Sequence, residues 1–262
     1  MEELTILGGK GFVLGEYVKQ VYDPAIGNIV SVNARSDYAV HSKDVLYGIS
    51  TVHNYHVFDN PYIDIDTNLR LLVRVLENWR VRADSKQGVF NFLSSWFVYN
   101  PRGFYSITKK CAEDLLIDYC STFGLHYRIL RLGNVLGDDP KASAQKNALQ
   151  FLIGKLAKNE PIEIQGDGKF HRDFIHVTDV ARAIDLVLSR GPVNDTINVG
   201  NGQAWSFKEI ILYARKRLGS TSPIVHVEGK VDDFFMDVSK IRALGYSPKY
   251  IDEDLYDSII PR

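Results

Sequence analysis

The chain has 262 residues, 45% of them hydrophobic, and its 31 Lys+Arg nearly cancel its 32 Asp+Glu. A chain of this size can bury a full core, as one large domain or as one domain with an appended lobe, while its balanced charge offers no basic field for a nucleic acid or an anionic membrane. The two cysteines, Cys111 and Cys120, fall in one predicted helix, so no disulfide framework, no metal site and a reducing, cytoplasmic setting are expected; no apolar stretch is long enough for a membrane span or an export signal.

In chain order, Leu4–Leu7 reads as a strand, Gly8-Gly-Lys-Gly11 as a turn, and the segment from Phe12 to about Tyr22 as a helix. A buried-type strand from Ile29 to Val32 ends at Asn33, and another, Asp44–Ile49, follows after a gap of about ten residues, too short for a helical crossover. A helix near Asp66–Trp79, a strand Val89–Leu93, a helix from Phe104 to Phe123 and a strand His126–Arg131 continue the alternation. This pattern predicts an α/β fold with a Rossmann-like, doubly wound parallel sheet, truncated at its adenine-side edge. Beyond Gly137 the periodicity loosens into a small C-terminal α/β substrate lobe. Past Gly137, helices are expected near Gln145–Lys158, Val177–Ser189 and Ser206–Leu218, with strands at Ile162–Ile164 and Thr196–Val199 and a polar tail at the end. The expected division is 1–136 for a dinucleotide-binding domain, with a returning segment near 170–200, and 137–169 with 200–262 for the lobe.

Chemistry concentrates at three places. Gly8, Gly9 and Gly11 lie between a strand and a helix, where bare backbone can approach a pyrophosphate at the positive end of the helix dipole. A plain tight turn is the competing reading, and Leu14 stands where a third glycine is usual, with Gly15 after it. Asn33 occupies the place of a ribose-binding carboxylate, followed by Arg35 and Ser36, a change that favours NADP over NAD unless Arg35 is merely an exposed turn residue. Finally, Tyr105 and Lys109 are four apart on one helix face, where an ammonium can favour a phenolate base. Ser95, at a nearby strand end, can hydrogen-bond the same substrate oxygen.

These segments, with Arg131-Leu-Gly-Asn134-Val-Leu-Gly137, Gly166-Asp-Gly through Arg172-Asp173-Phe-Ile-His176 to Asp179-Val180, and Leu244-Gly-Tyr-Ser-Pro248, resemble the extended short-chain dehydrogenase/reductase family, in its NAD(P)-dependent nucleotide-sugar epimerase/dehydratase branch. The resemblance implies that Tyr105 is the base, that Lys109 tunes it and holds the nicotinamide ribose, and that Ser95 positions the reacting hydroxyl. The cofactor would also be held by Gly8, Gly9, Lys10, Gly11, Phe12, Val13, Asn33, Arg35, Ser36, Ser50 and Asn68. It further implies that Ser95, Asn134 and Arg172 touch a nucleotide-sugar substrate, the last two at its diphosphate, where an amide and a guanidinium fork suit phosphate oxygens. Asp173, His176 and Asp179 are expected to be structural. Trp96 and Phe97 either pack or wall the pocket. A homodimer through the Tyr105 helix (Cys111, Leu115, Leu116, Tyr119) and the Asp66–Trp79 helix (Leu69, Leu72, Val73, Leu76) is implied as well.

Three departures from that pattern stand out. The second strand lacks the usual strand and helix after it, the loop from Tyr99 to Tyr105 is short, and Phe234-Phe235 falls where a late arginine normally helps hold the diphosphate. Trp96-Phe97 replaces the Asp-Glu pair of a 4,6-dehydratase, and Phe97 also replaces the cysteine of a 3,5-epimerase/reductase. What remains is 4-epimerisation through a transient keto-sugar, or NADPH-dependent reduction of a keto-sugar. A catalytically silent dinucleotide-binding or interaction module is the alternative from another class, and an intact Ser95, Tyr105 and Lys109 speaks against it.

Overall fold

The computed structural model describes residues 3–21, 29–33, 38–51, 58–137, 147–229 and 231–261, with only the backbone described for 29–33. Arg35 and Ser36, the predicted NADP-reading residues, lie outside these stretches, as does the side chain of Asn33.

Strand β1 (Leu4–Leu7) leads through the glycine turn to helix α1 (Phe12–Val21), and β2 (Ile29–Asn33) returns beside β1. Strand β3 (Asp44–Tyr47) then crosses to the other side of β1, followed outward by β4 (Val89–Ser95), β5 (His126–Leu132) and β9 (Asp195–Val199). All five pairings are parallel, in the order β2-β1-β3-β4-β5-β9. Strand β2 is therefore the edge, as the short gap before Asp44 predicts.

Alternation along the strands divides the core in two. Leu4, Ile6, Leu46, Leu93, Leu130 and Leu132 face α1 and α6 (Val177–Arg190), meeting Leu14, Tyr17, Val180 and Ile184. Leu7, Val45, Tyr47, Phe90, Phe92 and Ile129 face α3 (Leu71–Arg80) and α4 (Phe104–Phe123), meeting Leu72, Leu76, Trp79 and Leu116. Near-continuous apolar strands are what a sheet covered on both faces requires. The predicted helix before Trp79 is more irregular than expected: a short α2 (Ile63–Ile65) runs into a π-helical turn at Asp66–Arg70 before α3 begins. The extra residue of a π turn re-aims the side chains beside it, and here Asp64 and Asn68 are both buried.

A third core gathers α5 (Ala148–Ala157), α7 (Phe207–Arg217) and α9 (Asp252–Asp257) around Ile153, Ile210, Leu255 and Tyr256. Two small sheets serve this part: β6 (Asn134–Leu136), β8 (His171–His176) and β10 (Ala204–Ser206) form one, and β7 (Ile162–Gln165) pairs in parallel with β11 (Ile224–Val227) in the other. The expected polar tail is thus structured, with β11, α8 (Ser239–Ala243) and α9 burying Ile241, Leu255 and Tyr256.

Candidate functional site

The carboxyl ends of β1, β3 and β4 converge on one side of the sheet, and the candidate residues sit there. At the end of β1, Gly8 has φ +87°, and a Cβ on it would lie 3.1 Å from the Gly48 carbonyl carbon just beyond β3. The Gly11 amide donates to the Gly8 carbonyl (2.9 Å), and a Cβ at Gly11 would sit 3.2 Å from that same oxygen. Helix α1 starts at Phe12 with no acidic residue in its first turn, so the positive end of its dipole is uncompensated. The turn is thus stripped of side chains where backbone must come close, which fits a pyrophosphate. Lys10 and Gly11 are exposed, and Phe12 and Val13 are half-buried.

Ser95 closes β4, and its hydroxyl accepts from the Phe97 amide (3.4 Å) as the chain turns into a 3-10 segment, Trp96–Tyr99. Tyr105 stands in the first turn of α4, where the hydroxyls of Ser95, at the end of β4, and Ser50, beyond β3, act on its phenol. Its pKa is held above the ordinary tyrosine value by burial, with the two hydroxyls pulling the other way and the Asp64 carboxylate adding to the rise. Lys109 is buried, donates to the Leu93 carbonyl (2.7 Å) and stands 4.2 Å from the Phe92 ring centre. Desolvation pulls its pKa down to about 7, with Glu113, one turn further along α4, opposing the fall.

Asn68 braces the site: its amide oxygen accepts from the Thr51 amide (3.0 Å), and its amide nitrogen donates to the hydroxyls of Thr51 (2.8 Å) and Thr108 (2.9 Å). It fixes the Ser50–Thr51 segment against α4, and the Ser50 hydroxyl donates to the Thr51 carbonyl (2.6 Å). The Asn134 side chain donates to the Asp173 carbonyl (3.1 Å), joining β6 to β8. Arg172 has its guanidinium 5.4 Å from the Trp96 ring centre and 5.1 Å from that of Phe170, and it donates to the carbonyls of His171 (2.8 Å) and Asp232. Its partners Phe170 and Asp232 line an open cleft between the Gln165–Gly166 turn and Asp232–Asp233.

Trp96 packs against Phe97 (4.2 Å between ring centres) and Phe234 (4.4 Å), so the residue at the late-arginine position seals an aromatic wall. The short loop after Tyr99 is held down rather than open: the Tyr99 hydroxyl donates to Asn198 (2.6 Å), and Arg102 lies 3.5 Å from Asp232. The expected structural residues are structural. The Asp173 carboxylate accepts from the amides of Asn201 and Gly202 (both 2.8 Å), and Asp179 accepts from those of Lys249 and Tyr250. The cap of α6 comes from His176, which accepts from the Thr178 amide (3.2 Å).

The sequence reading passed over three groups. Glu113 is buried and takes Arg131 in a two-point pair (2.6 Å at its shortest); its position four after Lys109 was the available signal. Thr51 and Asp64 are buried beside the site, and Asp64 was visible only as a charge inside the apolar run Tyr62-Ile-Asp-Ile65.

Comparison with known proteins agrees with this geometry. The chain is 27% identical to a Methanocaldococcus jannaschii protein named "Putative UDP-glucose 4-epimerase", over 94% of this chain and 93% of that one. Among solved structures it resembles the UDP-glucose 4-epimerase of Thermotoga maritima with UDP-glucose (TM-score 0.84, 20% identity, 98% and 97% of the two chains). It also resembles RMD of Pseudomonas aeruginosa complexed with NADPH (TM-score 0.83, 22% identity, 99% and 98%). Residues 41–200 match the NAD dependent epimerase/dehydratase family. With a glycine turn, a parallel sheet and the Ser95–Tyr105–Lys109 group already in place, the chain belongs to that family and is an NAD(P)-dependent enzyme of the short-chain dehydrogenase/reductase type.

Proposed function

We propose that this protein is a nucleotide-sugar 4-epimerase, acting through a transient keto-sugar. The observation that carries the reading is the grouping of Ser95, Tyr105 and Lys109 at the strand ends beside the glycine turn: Ser95 closes β4, and Lys109, one turn after Tyr105 on α4, donates to the Leu93 carbonyl of that strand (2.7 Å). A bound nicotinamide cofactor supplies reversible hydride acceptance at the sugar carbon. Tyr105 takes the proton of the sugar hydroxyl and later returns it, Ser95 orients that hydroxyl, and the Leu93 carbonyl fixes Lys109 in the same site. The turn from Gly8 to Val13 would hold the pyrophosphate, Ser50 and Lys109 the nicotinamide ribose, and Arg172 with Asn134 the substrate diphosphate. These groups would sit on a dinucleotide-binding domain, 1–136 with the returning segment near 170–200, beneath a substrate lobe of 137–169 and 200–262.

Trp96-Phe97, stacked on Phe234, places no carboxylate next to Ser95, which supports epimerisation over dehydration. Reduction of a keto-sugar with NADPH is the second reading, favoured by Arg35 following Asn33 in the sequence. The same reading has the protein as a homodimer in the cytoplasm. Titration with NAD and NADP, followed by quenching of tryptophan fluorescence and repeated with Arg35→Ala, tests the cofactor assignment. NADP binding that the substitution weakens supports Arg35 as the phosphate reader; binding of neither cofactor sinks the enzymatic reading.

A further inference from the structure

A wall of aromatic rings joins Tyr105 to Arg172, the stretch along which the hexose of a nucleotide sugar would lie. Phe97 meets the Tyr105 ring edge-on (6.1 Å between ring centres), Trp96 stacks on Phe97 (4.2 Å), and Phe234 packs against Trp96 (4.4 Å). The Arg172 guanidinium stands 5.4 Å from the Trp96 ring centre and ends the wall. Its parts come from distant segments: Trp96 and Phe97 follow Ser95 directly, while Phe234 is tied beside Arg172 by its amide, which donates to the His171 carbonyl (3.2 Å). The core does not consume these rings, since Phe97 is 37% exposed and Trp96 and Phe234 are only half-buried. The nearby polar groups are engaged: the Tyr99 hydroxyl donates to Asn198 (2.6 Å), and Arg172 spends Nη1 on the His171 and Asp232 carbonyls.

We propose that this wall selects the sugar: the substrate is a nucleotide-linked 6-deoxyhexose, whose C5 methyl rests against Phe97 and Trp96. The proposal rests on the 4-epimerase reading. With the C4 hydroxyl at Ser95 and Tyr105 and the C1 diphosphate at Arg172, one long edge of the pyranose ring runs along the wall. The C2–C3 edge carries two hydroxyls, whereas the C5 edge carries only the ring oxygen and C6. A hydroxyl pressed against aromatic rings gives up water and gains no partner. The C5 edge therefore fits better, and it fits best when C6 is a methyl, which adds apolar contact instead. The ring must turn over between the two hydride transfers, so this edge meets the wall in one of them, and a difference in one transition state is enough to sort substrates. C6 takes no part in the reaction: C4 gives its hydroxyl proton to Tyr105 and its hydride to the nicotinamide, then regains both with the opposite configuration. A 6-deoxy sugar reacts by the same balanced steps.

The test compares glucose with 6-deoxyglucose, each as its UDP- and dTDP-linked form, on the whole protein with NAD or NADP. Proton NMR of the 4-epimer gives kcat/KM, and calorimetry gives the dissociation constants. The 6-deoxy sugar should be favoured by about tenfold or more, the scale on which an apolar pocket sorts substrates differing by one small group. Phe97→Gln offers the 6-hydroxyl a partner and should bring that ratio towards one. Trp96→Gln does the same from the neighbouring position should Phe97→Gln not fold. Binding of neither sugar, a parent ratio of one or below, or a preference that both variants leave unchanged would overturn the proposal, the last leaving the wall a packing feature. Preferential binding of the 6-deoxy sugar without epimerisation would support the wall and strike the function proposed above, whereas epimerisation without preference would strike the wall alone.

Discussion

Lys109 shows how a single buried residue sets a pH dependence. Desolvation takes its pKa from 10.5 to about 7, so the ammonium is lost as pH rises through about 7 in the folded protein. The unfolded chain holds that proton more tightly, so this group's contribution to stability is complete above about 10.5 and is lost as pH falls through about 7. Glu113 opposes the shift, and removing its charge should lower the pKa further. In Glu113→Gln the alkaline limb of the turnover profile is expected to move down by up to about one pH unit; an unmoved limb would assign Glu113 to Arg131 alone. Tyr105, Lys109 and Ser95 were legible because the motif spacing places them on one helix face and one strand end. Asp64 and Thr51 were not, because their meaning lies in contacts between segments 13 residues apart that no local pattern records.

Among the elements, apolar strands and 3.6-periodic helices such as α4 declared themselves, whereas β6 and β10, of 3 residues each, and the polar-starting β8 are defined by pairing with one another. The polar reading of the C-terminal stretch failed for the same reason: α8 and α9 have 5 and 6 residues, too few to show a periodicity, yet each buries an anchor. Tight packing between elements gives a sharper expectation. A Cβ at Gly88, just before β4, would lie 2.0 Å from the Lys43 carbonyl oxygen, which the Trp79 indole also holds at 2.7 Å, so neither partner can yield. Gly88→Ala should cost about 1–3 kcal/mol, seen as a Tm lower by roughly 2–4 °C per kcal/mol. Gly154, inside α5 with nothing within 4 Å of its Cβ position, should respond oppositely: alanine there is expected to stabilise by about 0.5–1 kcal/mol. Equal thermal shifts in the two variants would contradict this account of the packing.

At the scale of the whole molecule, the truncated sheet keeps its cofactor side intact because β3 follows β2 directly to the far side of β1, sparing the glycine turn. Of the residues expected at a dimer face, Leu72, Leu76 and Leu116 are consumed by the core. The same helices nonetheless leave Phe104, Ile107 and Ile117 on α4, and Ile65 on α2, exposed. These exposed apolar side chains are the ones the proposed homodimer would cover. Ile107→Glu should convert a sedimenting dimer into a monomer at micromolar concentration, and a parent protein that is already monomeric would remove the dimer from the account.

The central claim is that the Ser95–Tyr105–Lys109 group epimerises a nucleotide sugar, and its most direct test is proton NMR of UDP- and dTDP-hexoses incubated with the protein and NAD or NADP. The account predicts appearance of the 4-epimer, with turnover lowered by about 10²–10⁴-fold in Tyr105→Phe, the range for loss of a positioned proton-transfer group. A cofactor-loaded protein that leaves every hexose unchanged, or a Tyr105→Phe variant as active as the parent, would contradict it.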